Sequence, residues 1–167
     1  MVPAAADAAT RGADTHCEAE TPLATVVFWE KPGCAGNARQ KALLAASGHT
    51  VLARDLRAEP WTEAGLRPFF GNRKVAEWFN PNAARVKSGE VQPGSLDEAA
   101  ALALLLADPL LIRRPLMLAN GRHEAGFEPA RVAAWIGLRG DGTVVDETCQ
   151  RHAPGGCAEH RAAELPG

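Results

Sequence analysis

The first third of the chain combines two short apolar runs with a helix-forming segment between them. Residues 25–29 (TVVFW) are β-branched and aromatic, and the turn-forming residues 31–33 (KPG) follow, which predicts a buried first strand. Residues 35–47 are rich in helix formers, and Gly48 stands where a C-terminal cap is expected. Residues 49–56 alternate apolar and polar positions, which predicts a second strand. The segment therefore predicts a βαβ unit with parallel strands.

The middle of the chain is predicted to be helical and irregular. Thr62 is suited to cap a helix that runs to residue 70, and residues 75–79 form another short apolar turn. Ser95 begins the sequence SLDE, a Ser-x-x-Glu capping box. The Leu- and Ala-rich residues 99–106 follow, apolar on most faces, so we expect a long, central and mostly buried helix.

The last predicted elements are a hairpin and a helix. Residues 114–119 and 123–127 flank an Asn-Gly pair, which favours a type I′ turn between two strands. Residues 128–138 are amphipathic, with Pro129 near the first turn, where a missing amide is harmless. The whole order predicts an α/β fold with a mixed sheet, flanking helices on both faces and a helical insertion, which is the thioredoxin-like arrangement.

Composition divides the chain into a core and two ends. Residues 1–22 and 139–167 are rich in Ala, Gly, Pro and polar residues, so we expect a disordered N-terminal extension and a flexible tail around a domain at 23–138. The first residues lack the basic and apolar regions of a secretory signal, which favours a cytoplasmic protein.

Charge and hydropathy exclude several classes of partner. Eighteen Lys and Arg balance 20 Asp and Glu, so no overall field attracts nucleic acid or an anionic membrane. The longest apolar run is far shorter than the ~20 residues of a membrane span. No Walker or dinucleotide glycine loop is present, so no nucleotide cofactor is predicted.

Cys34 is the residue most suited to chemistry. It lies between the first strand and the first helix, where unpaired helix amides lower the pKa of a thiol from its free value of about 8.5. A thiolate formed there is nucleophilic. The alternative is that Cys34 is a small residue that fills a tight turn, since a single cysteine is a weak signal.

The tail holds further residues of interest. Cys149, His152, Cys157 and His160 are of zinc-ligand type, but the gap in their centre is shorter than in ordinary Cys/His modules, and no metal site is predicted. Cys17 has no basic or helical partner in the sequence and is given no role.

Several motifs resemble the arsenate reductase (ArsC) and Spx family. They are KPGC at the strand exit and DPLLIRRP before the hairpin, over a region of about residues 25–138. Together with RDLRAEPWT, LRPFFG, WFNPNA and VKSGE, they are similar to the nitrogenase-associated branch of that family. The resemblance implies a thioredoxin-like fold, with Cys34 at the catalytic cysteine position, Pro115 as the facing cis-proline and Arg114 as an oxyanion-binding arginine.

The sequence also departs from the arsenate-reducing pattern. Gly126 and Asn80 stand near positions where those members have further arginines, which argues against arsenate reduction. Arg85 and Lys87 are alternative sources of charge, although such a pair more often belongs to a solvated surface.

A second thiol must come from outside the Cys34 loop, because the Spx-type Cys-x-x-Cys is replaced by CAGN. The resemblance implies glutathione, as a co-substrate, or a glutaredoxin. The chain's own Cys149 and Cys157 are a second source of a resolving thiol.

Two functions follow from these observations. The first is a thiol-dependent oxidoreductase acting through Cys34 and Arg114. The alternative is a non-enzymatic regulatory protein of the Spx type, which binds a partner protein and has lost arsenate reductase activity. In both cases the resemblance implies an accessory role in nitrogen fixation, with a nitrogen-fixation protein as a partner.

Overall fold

The computed structural model describes residues 23–139, which form a mixed four-stranded sheet with helices on both faces. The strands are β1 (Thr25–Glu30), β2 (Thr50–Asp55), β3 (Leu116–Ala119) and β4 (Arg122–Ala125). Their order across the sheet is β2-β1-β3-β4. β1 pairs with β2 in parallel, and the two other pairs are antiparallel. The predicted α/β class and mixed sheet are confirmed.

Within residues 23–139, five α-helices accompany the sheet. They are α1 (Ala35–Ala46), α2 (Glu63–Leu66), α3 (Ala84–Lys87), α4 (Glu98–Ala107) and α5 (Pro129–Ile136). Short 3₁₀ helices lie at Arg67–Phe70, Val75–Trp78, Pro93–Ser95 and Pro109–Leu111. The segment between β2 and β3 thus carries three α-helices and all four 3₁₀ helices of the described residues, as the predicted helical insertion requires.

The βαβ unit forms as the sequence predicts. Thr25 pairs with Thr50 at the start of the parallel ladder. Two hydrogen bonds close the C-terminus of α1. The Gly48 amide donates to the Ala45 carbonyl at 2.9 Å (a 5→2 bond), and the His49 amide donates to the Leu44 carbonyl at 3.1 Å (a 6→1 bond). This is a Schellman cap, and Gly48 supplies the positive φ of +90° that it needs.

In the described part of the chain, two apolar clusters cover the two faces of the sheet. Val26 and Phe28 of β1 pack in one cluster with residues of α1 and α5. Trp29, next in the chain, packs in the other cluster with residues of the insertion, among them Leu105 of α4. The change of face follows from the two-residue period of a strand. The insertion therefore forms the layer that covers the face of the sheet opposite α1 and α5.

Helix α4 differs from its prediction at its start and in its burial. Its N-cap is Asp97, whose carboxylate accepts from the Ala100 amide at 2.8 Å. Ser95 lies in a 3₁₀ turn and donates to the Gln92 carbonyl, so the predicted capping box is wrong. Ala101, Leu102 and Leu105 are the buried residues of α4. Only one face of this helix is buried, because its Ala-rich opposite face meets no further layer among the described residues.

The hairpin and last helix agree with their predictions. Asn120 and Gly121 both have positive φ, +50° and +74°, as a type I′ turn requires. Pro129 is the first residue of α5. Within residues 23–139, no helix combines the length and the apolar character needed to cross a membrane. The predicted extension at 1–22 lies outside the described residues, as does the predicted tail beyond Arg139.

Candidate active site around Cys34

The loop after β1 places Cys34 at the start of α1. The Cys34 amide donates to the Lys31 carbonyl at 3.1 Å, and Gly33 turns the chain with a φ of +80°. Cys34 is the N-cap of α1, with extended backbone, and its side chain makes no capping hydrogen bond. The thiol is half-buried. It therefore lies beside the unpaired amides of a twelve-residue helix, whose positive partial charge favours an anion.

The pairing of β3 with β1 brings two arginines to the same end of the sheet. Leu116, the first residue of β3, lies opposite Trp29, near the end of β1. The residues before β3 consequently meet the loop after β1, and Arg113 and Arg114 line one cavity with Cys34. The Arg114–Pro115 peptide bond is cis.

Arg114 was expected at this site from the sequence, whereas Arg113 was not. The Arg113 amide donates to the Trp78 carbonyl at 2.8 Å, which ties this residue to the insertion. Its guanidinium lies 3.5 Å from a carboxylate oxygen of Glu128, at the N-cap of α5. The signal was the adjacent pair RR before the proline, but the sequence does not show that both side chains reach the cavity.

The cavity itself is small. Its volume is about 20 Å³, little more than the about 10–15 Å³ that one water molecule needs. Apart from Cys34 and the two arginines, its walls come from the start of α1 and from the Asn-Pro-Asn segment of the insertion: Gly36, Asn37, Gln40, Asn80, Pro81 and Asn82.

Two buried amides in these walls are incompletely hydrogen-bonded. Asn37 and Asn80 have 3% and 6% of their surface exposed. The Asn37 Nδ2 group donates to Gln40 Oε1 at 2.9 Å, and Asn80 Oδ1 accepts from the Asn82 amide at 3.0 Å. Asn37 Oδ1 and Asn80 Nδ2 have no hydrogen-bond partner among residues 23–139. Buried groups of this kind are rare and need an explanation.

Arg113 is connected through Glu128 to a network of ion pairs. Arg73 donates to Glu124 at 2.7 Å and to Glu128 at 3.1 Å, and Glu128 is also the neighbour of Arg113. Burial works to lower the pKa of Arg73, but hydrogen bonds and charge from Glu124 and Glu128 outweigh it and raise that pKa above its ordinary value. The Arg73 charge is therefore fixed, and it helps to hold Glu128 beside Arg113.

Similarity to known proteins assigns the chain to a family. A model of the ArsC family matches residues 14–135. The chain belongs to the ArsC family. It is 54% identical over 145 residues to a protein of Rhodospirillum rubrum described as an uncharacterized 15.7 kDa protein in the draG 3' region, covering 87% of this chain and 99% of that relative.

Solved structures of ArsC-type proteins share the fold. An arsenate reductase from Vibrio cholerae is 21% identical, with a TM-score of 0.56, and the match covers 69% of this chain and 99% of that one. An arsenate reductase (ArsC) related protein from Brucella melitensis is also 21% identical, with a TM-score of 0.52, over 66% of this chain and 93% of that one. Both likenesses concern the thioredoxin-like fold.

The departures seen in the sequence fall at the site of this ArsC-family chain. Asn80 lines the cavity, and the Gly126 amide donates to the carbonyl of Pro115 at 2.8 Å. Arg85 does not replace a missing arginine, because it pairs with Glu90 and Asp108 outside the cavity. Lys87 is exposed and does not line the cavity either.

The two histidines of the described residues do not line the cavity. His49 Nδ1 accepts from the Ala24 amide at 3.1 Å and its Nε2 lies 2.7 Å from the Gly137 carbonyl, so this ring joins the two ends of the described domain. His123 packs edge-on against Phe69. The proposed resolving residues Cys149 and Cys157 lie outside the described residues, as do His152 and His160.

Proposed function

We propose that this ArsC-family chain is a thiol-dependent redox protein in which Cys34 is the catalytic residue. This proposal rests on the observation that Cys34 is the N-cap residue of α1 and lines one cavity with Arg113 and Arg114. A helix N-terminus and nearby cations favour the thiolate, which is the nucleophilic form of cysteine. Arg114 is given the role of holding a negatively charged group of the substrate or the leaving thiolate.

The proposed step is thiol–disulfide exchange. The Cys34 thiolate attacks one sulfur of a disulfide, a new S–S bond forms, the old one breaks, and the second sulfur leaves as a thiolate that takes up a proton. A second thiol then attacks the mixed disulfide and releases Cys34 in reduced form. Glutathione as co-substrate, a glutaredoxin, and the chain's own Cys149 or Cys157 are the proposed sources of that thiol.

The proposed setting is the cytoplasm of a nitrogen-fixing cell. The support is the 54% identical relative in the draG 3' region, together with the motifs similar to the nitrogenase-associated branch. A nitrogen-fixation protein is accordingly the proposed macromolecular partner, as either the disulfide substrate or the protein whose function is protected.

A second candidate function is a non-enzymatic regulatory role of the Spx type. It is favoured by Asn80 and Gly126, which stand where arsenate-reducing members are expected to have arginines. In that case the fold engages a partner protein, and Cys34 is not required for the effect.

The test is the pH dependence of Cys34 alkylation by iodoacetamide, followed by mass spectrometry. The protein carries Cys17→Ser, Cys149→Ser and Cys157→Ser, so that one thiol reacts, and its unfolded form is the reference. We expect the reaction midpoint of folded Cys34 to lie below that of the unfolded chain. Reaction no faster than that of the unfolded chain over the whole pH range contradicts the redox function and favours the regulatory one.

The source of the second thiol is tested on the full wild-type chain. Oxidation with one equivalent of diamide, then peptide mapping, shows whether Cys34 pairs with Cys149 or Cys157 or stays single. Glutathione is then added to the oxidised protein to distinguish an internal thiol from glutathione as the source of the second thiol. An internal disulfide with Cys149 or Cys157 forms without glutathione, whereas a mixed disulfide with glutathione requires it. A Cys34→Ser variant controls for disulfides between the other cysteines.

A further inference from the structure

Two residues that line the cavity with Cys34 carry amide atoms without a hydrogen-bond partner among the described residues, and these atoms indicate a ligand atom of defined chemistry. Asn37 Oδ1 is a buried acceptor without a partner, and Asn80 Nδ2 is a buried donor without one, among the described residues. Both residues line the Cys34 cavity. The group that complements them must donate one hydrogen bond and accept another, which a hydroxyl does and a fully ionised oxyanion does not.

The orientation of the Asn80 amide follows from its neighbours. The Asn82 backbone N–H is a donor, so the Asn80 atom that faces it at 3.0 Å must be the oxygen. The NH₂ group is thereby turned away from this turn. At the same residue, the Asn80 backbone amide donates to the Leu111 carbonyl at 2.7 Å, which fixes the main chain. Asn80 therefore offers a positioned donor.

The size of the cavity limits what fills it. About 20 Å³ of this cavity admits roughly one water-sized group. A single oxygen bonded to the Cys34 sulfur meets this limit. Resting on the proposed function of Cys34 as a reactive thiol, we propose that the cavity holds the hydroxyl of a Cys34 sulfenic acid, formed by reaction with hydrogen peroxide.

The step balances without any further reactant. The Cys34 thiolate attacks one oxygen of H₂O₂, an S–O bond forms, the O–O bond breaks, and hydroxide leaves and takes a proton from solvent to become water. Sulfur is oxidised by two electrons and the peroxide is reduced by two. The S–OH group then donates to Asn37 Oδ1 and accepts from Asn80 Nδ2. A thiol that attacks this sulfur releases water and gives the mixed disulfide of the proposed function.

The positive charge around the cavity suits this chemistry. Arg113 and Arg114 line it, and α1 begins at Cys34. These groups favour the thiolate before the reaction and the departing hydroxide during it. Asn37 and Asn80 are neutral and add specific hydrogen bonds to the product. We therefore assign the arginines to the reaction step and the asparagines to the lifetime of the sulfenic acid.

The test traps the sulfenic acid with dimedone after H₂O₂ is added to the full chain that carries Cys17→Ser, Cys149→Ser and Cys157→Ser. We expect a dimedone adduct at Cys34 by mass spectrometry. Asn37→Ala, which removes the acceptor without a charge change, and Asn80→Asp, which removes the donor but keeps the acceptor for Asn82, should each lower the trapped fraction about three- to tenfold, since one hydrogen bond is lost. Asn72→Asp makes the same charge change outside the cavity and should not.

Iodoacetamide alkylation of Cys34 in the same samples corrects for altered thiolate content, and thermal unfolding identifies variants that do not fold. Ready alkylation with no dimedone adduct in the parent protein overturns this inference and leaves the proposed function standing. Failure of alkylation contradicts both. An equal adduct yield in the folded Asn37→Ala and Asn80→Asp proteins also overturns it, because the two amides then bind only a structural water.

Discussion

The Arg73 guanidinium donates to the Glu124 carboxylate at 2.7 Å, and the two side chains are only 10% and 6% exposed. This pair joins the segment between two 3₁₀ helices of the insertion to β4. Glu124 is also contacted by Arg122 and Arg131, whose side chains are half exposed. One carboxylate therefore has a buried partner and two partners in contact with solvent, which allows their contributions to be separated.

We expect Arg73→Met to lower the free energy of unfolding by about 3 kcal/mol, because breaking a buried pair leaves an under-compensated charge. The value lies at the low end of the usual range since Arg122 and Arg131 remain. Arg131→Met removes an exposed partner of the same carboxylate and should cost less than about 1 kcal/mol. Urea unfolding measures both; equal losses contradict the assignment of the buried pair as the dominant one.

Because Gly48 has a positive φ in the Schellman cap of α1, replacing it with alanine should lower the free energy of unfolding. Its φ is +90°, and an added Cβ lies 2.7 Å from the flexible Leu23 side chain, so backbone strain is the main term. We expect Gly48→Ala to destabilise the fold by about 1–2 kcal/mol. Gly94→Ala is the control, because Gly94 has no positive φ and open space around it. A shift in melting temperature for Gly94→Ala as large as that for Gly48→Ala is the result that contradicts this reasoning.

The ionisation of Asp55 should make the stability of the fold depend on pH, with a sign that follows from its pKa. Hydrogen bonds from the Arg57 side chain, and then from its backbone amide, lower the pKa of Asp55. Its contribution to stability is therefore present above the unfolded pKa of about 3.9 and is lost as the pH falls through the lower folded pKa. Arg57→Ala should raise the Asp55 pKa, as followed by carboxyl-carbon NMR titration. Arg54→Ala, which removes a cation from the same strand, is the control; no rise with Arg57→Ala contradicts the assigned cause.

Because Arg114 lines the cavity, we expect Cys34 to react with anionic disulfides in preference to neutral ones. A cation in the cavity raises the rate with an anionic disulfide such as Ellman's reagent more than the rate with a neutral dipyridyl disulfide. We expect Arg114→Met to lower the ratio of the two rates by about fivefold, the effect of roughly 1 kcal/mol of charge interaction. Arg85→Met, a change at a surface arginine outside the cavity, should leave the ratio unchanged. An unchanged ratio in Arg114→Met contradicts the role given to Arg114.

The elements set by local signals were predictable from the sequence. The βαβ unit, the Asn-Gly hairpin and the start of α5 at Pro129 depend on turns, caps and residue period, all of which act within a few residues. The error at Ser95 is of the same local kind. Two residues in SLDE, Ser95 and Asp97, are both able to cap, and packing of Ala101 and Leu105 selects the helix that Asp97 starts.

The site was predictable only in part, because its geometry is set by pairing between distant segments. Cys34 and Arg114 were found from motifs, whereas Arg113, Asn37 and the cavity role of Asn80 became visible only in three dimensions. Asn37 looks like an ordinary polar residue in the first turn of a helix. It lines one cavity with Asn80 of the insertion, a proximity that no local sequence pattern predicts.

The antiparallel pairing of β3 with β1 has a consequence for how the site is assembled. Cys34 follows β1 near one end of the described domain, while Arg113 and Arg114, which line the cavity with it, lie at the end of the insertion, directly before β3. Bringing segments so far apart in the chain together costs loop-closure entropy, which the contacts of the folded domain must offset. The charge selectivity of Cys34 therefore depends on the insertion being folded, and conditions that loosen the insertion should leave Cys34 with the reactivity of an ordinary thiol.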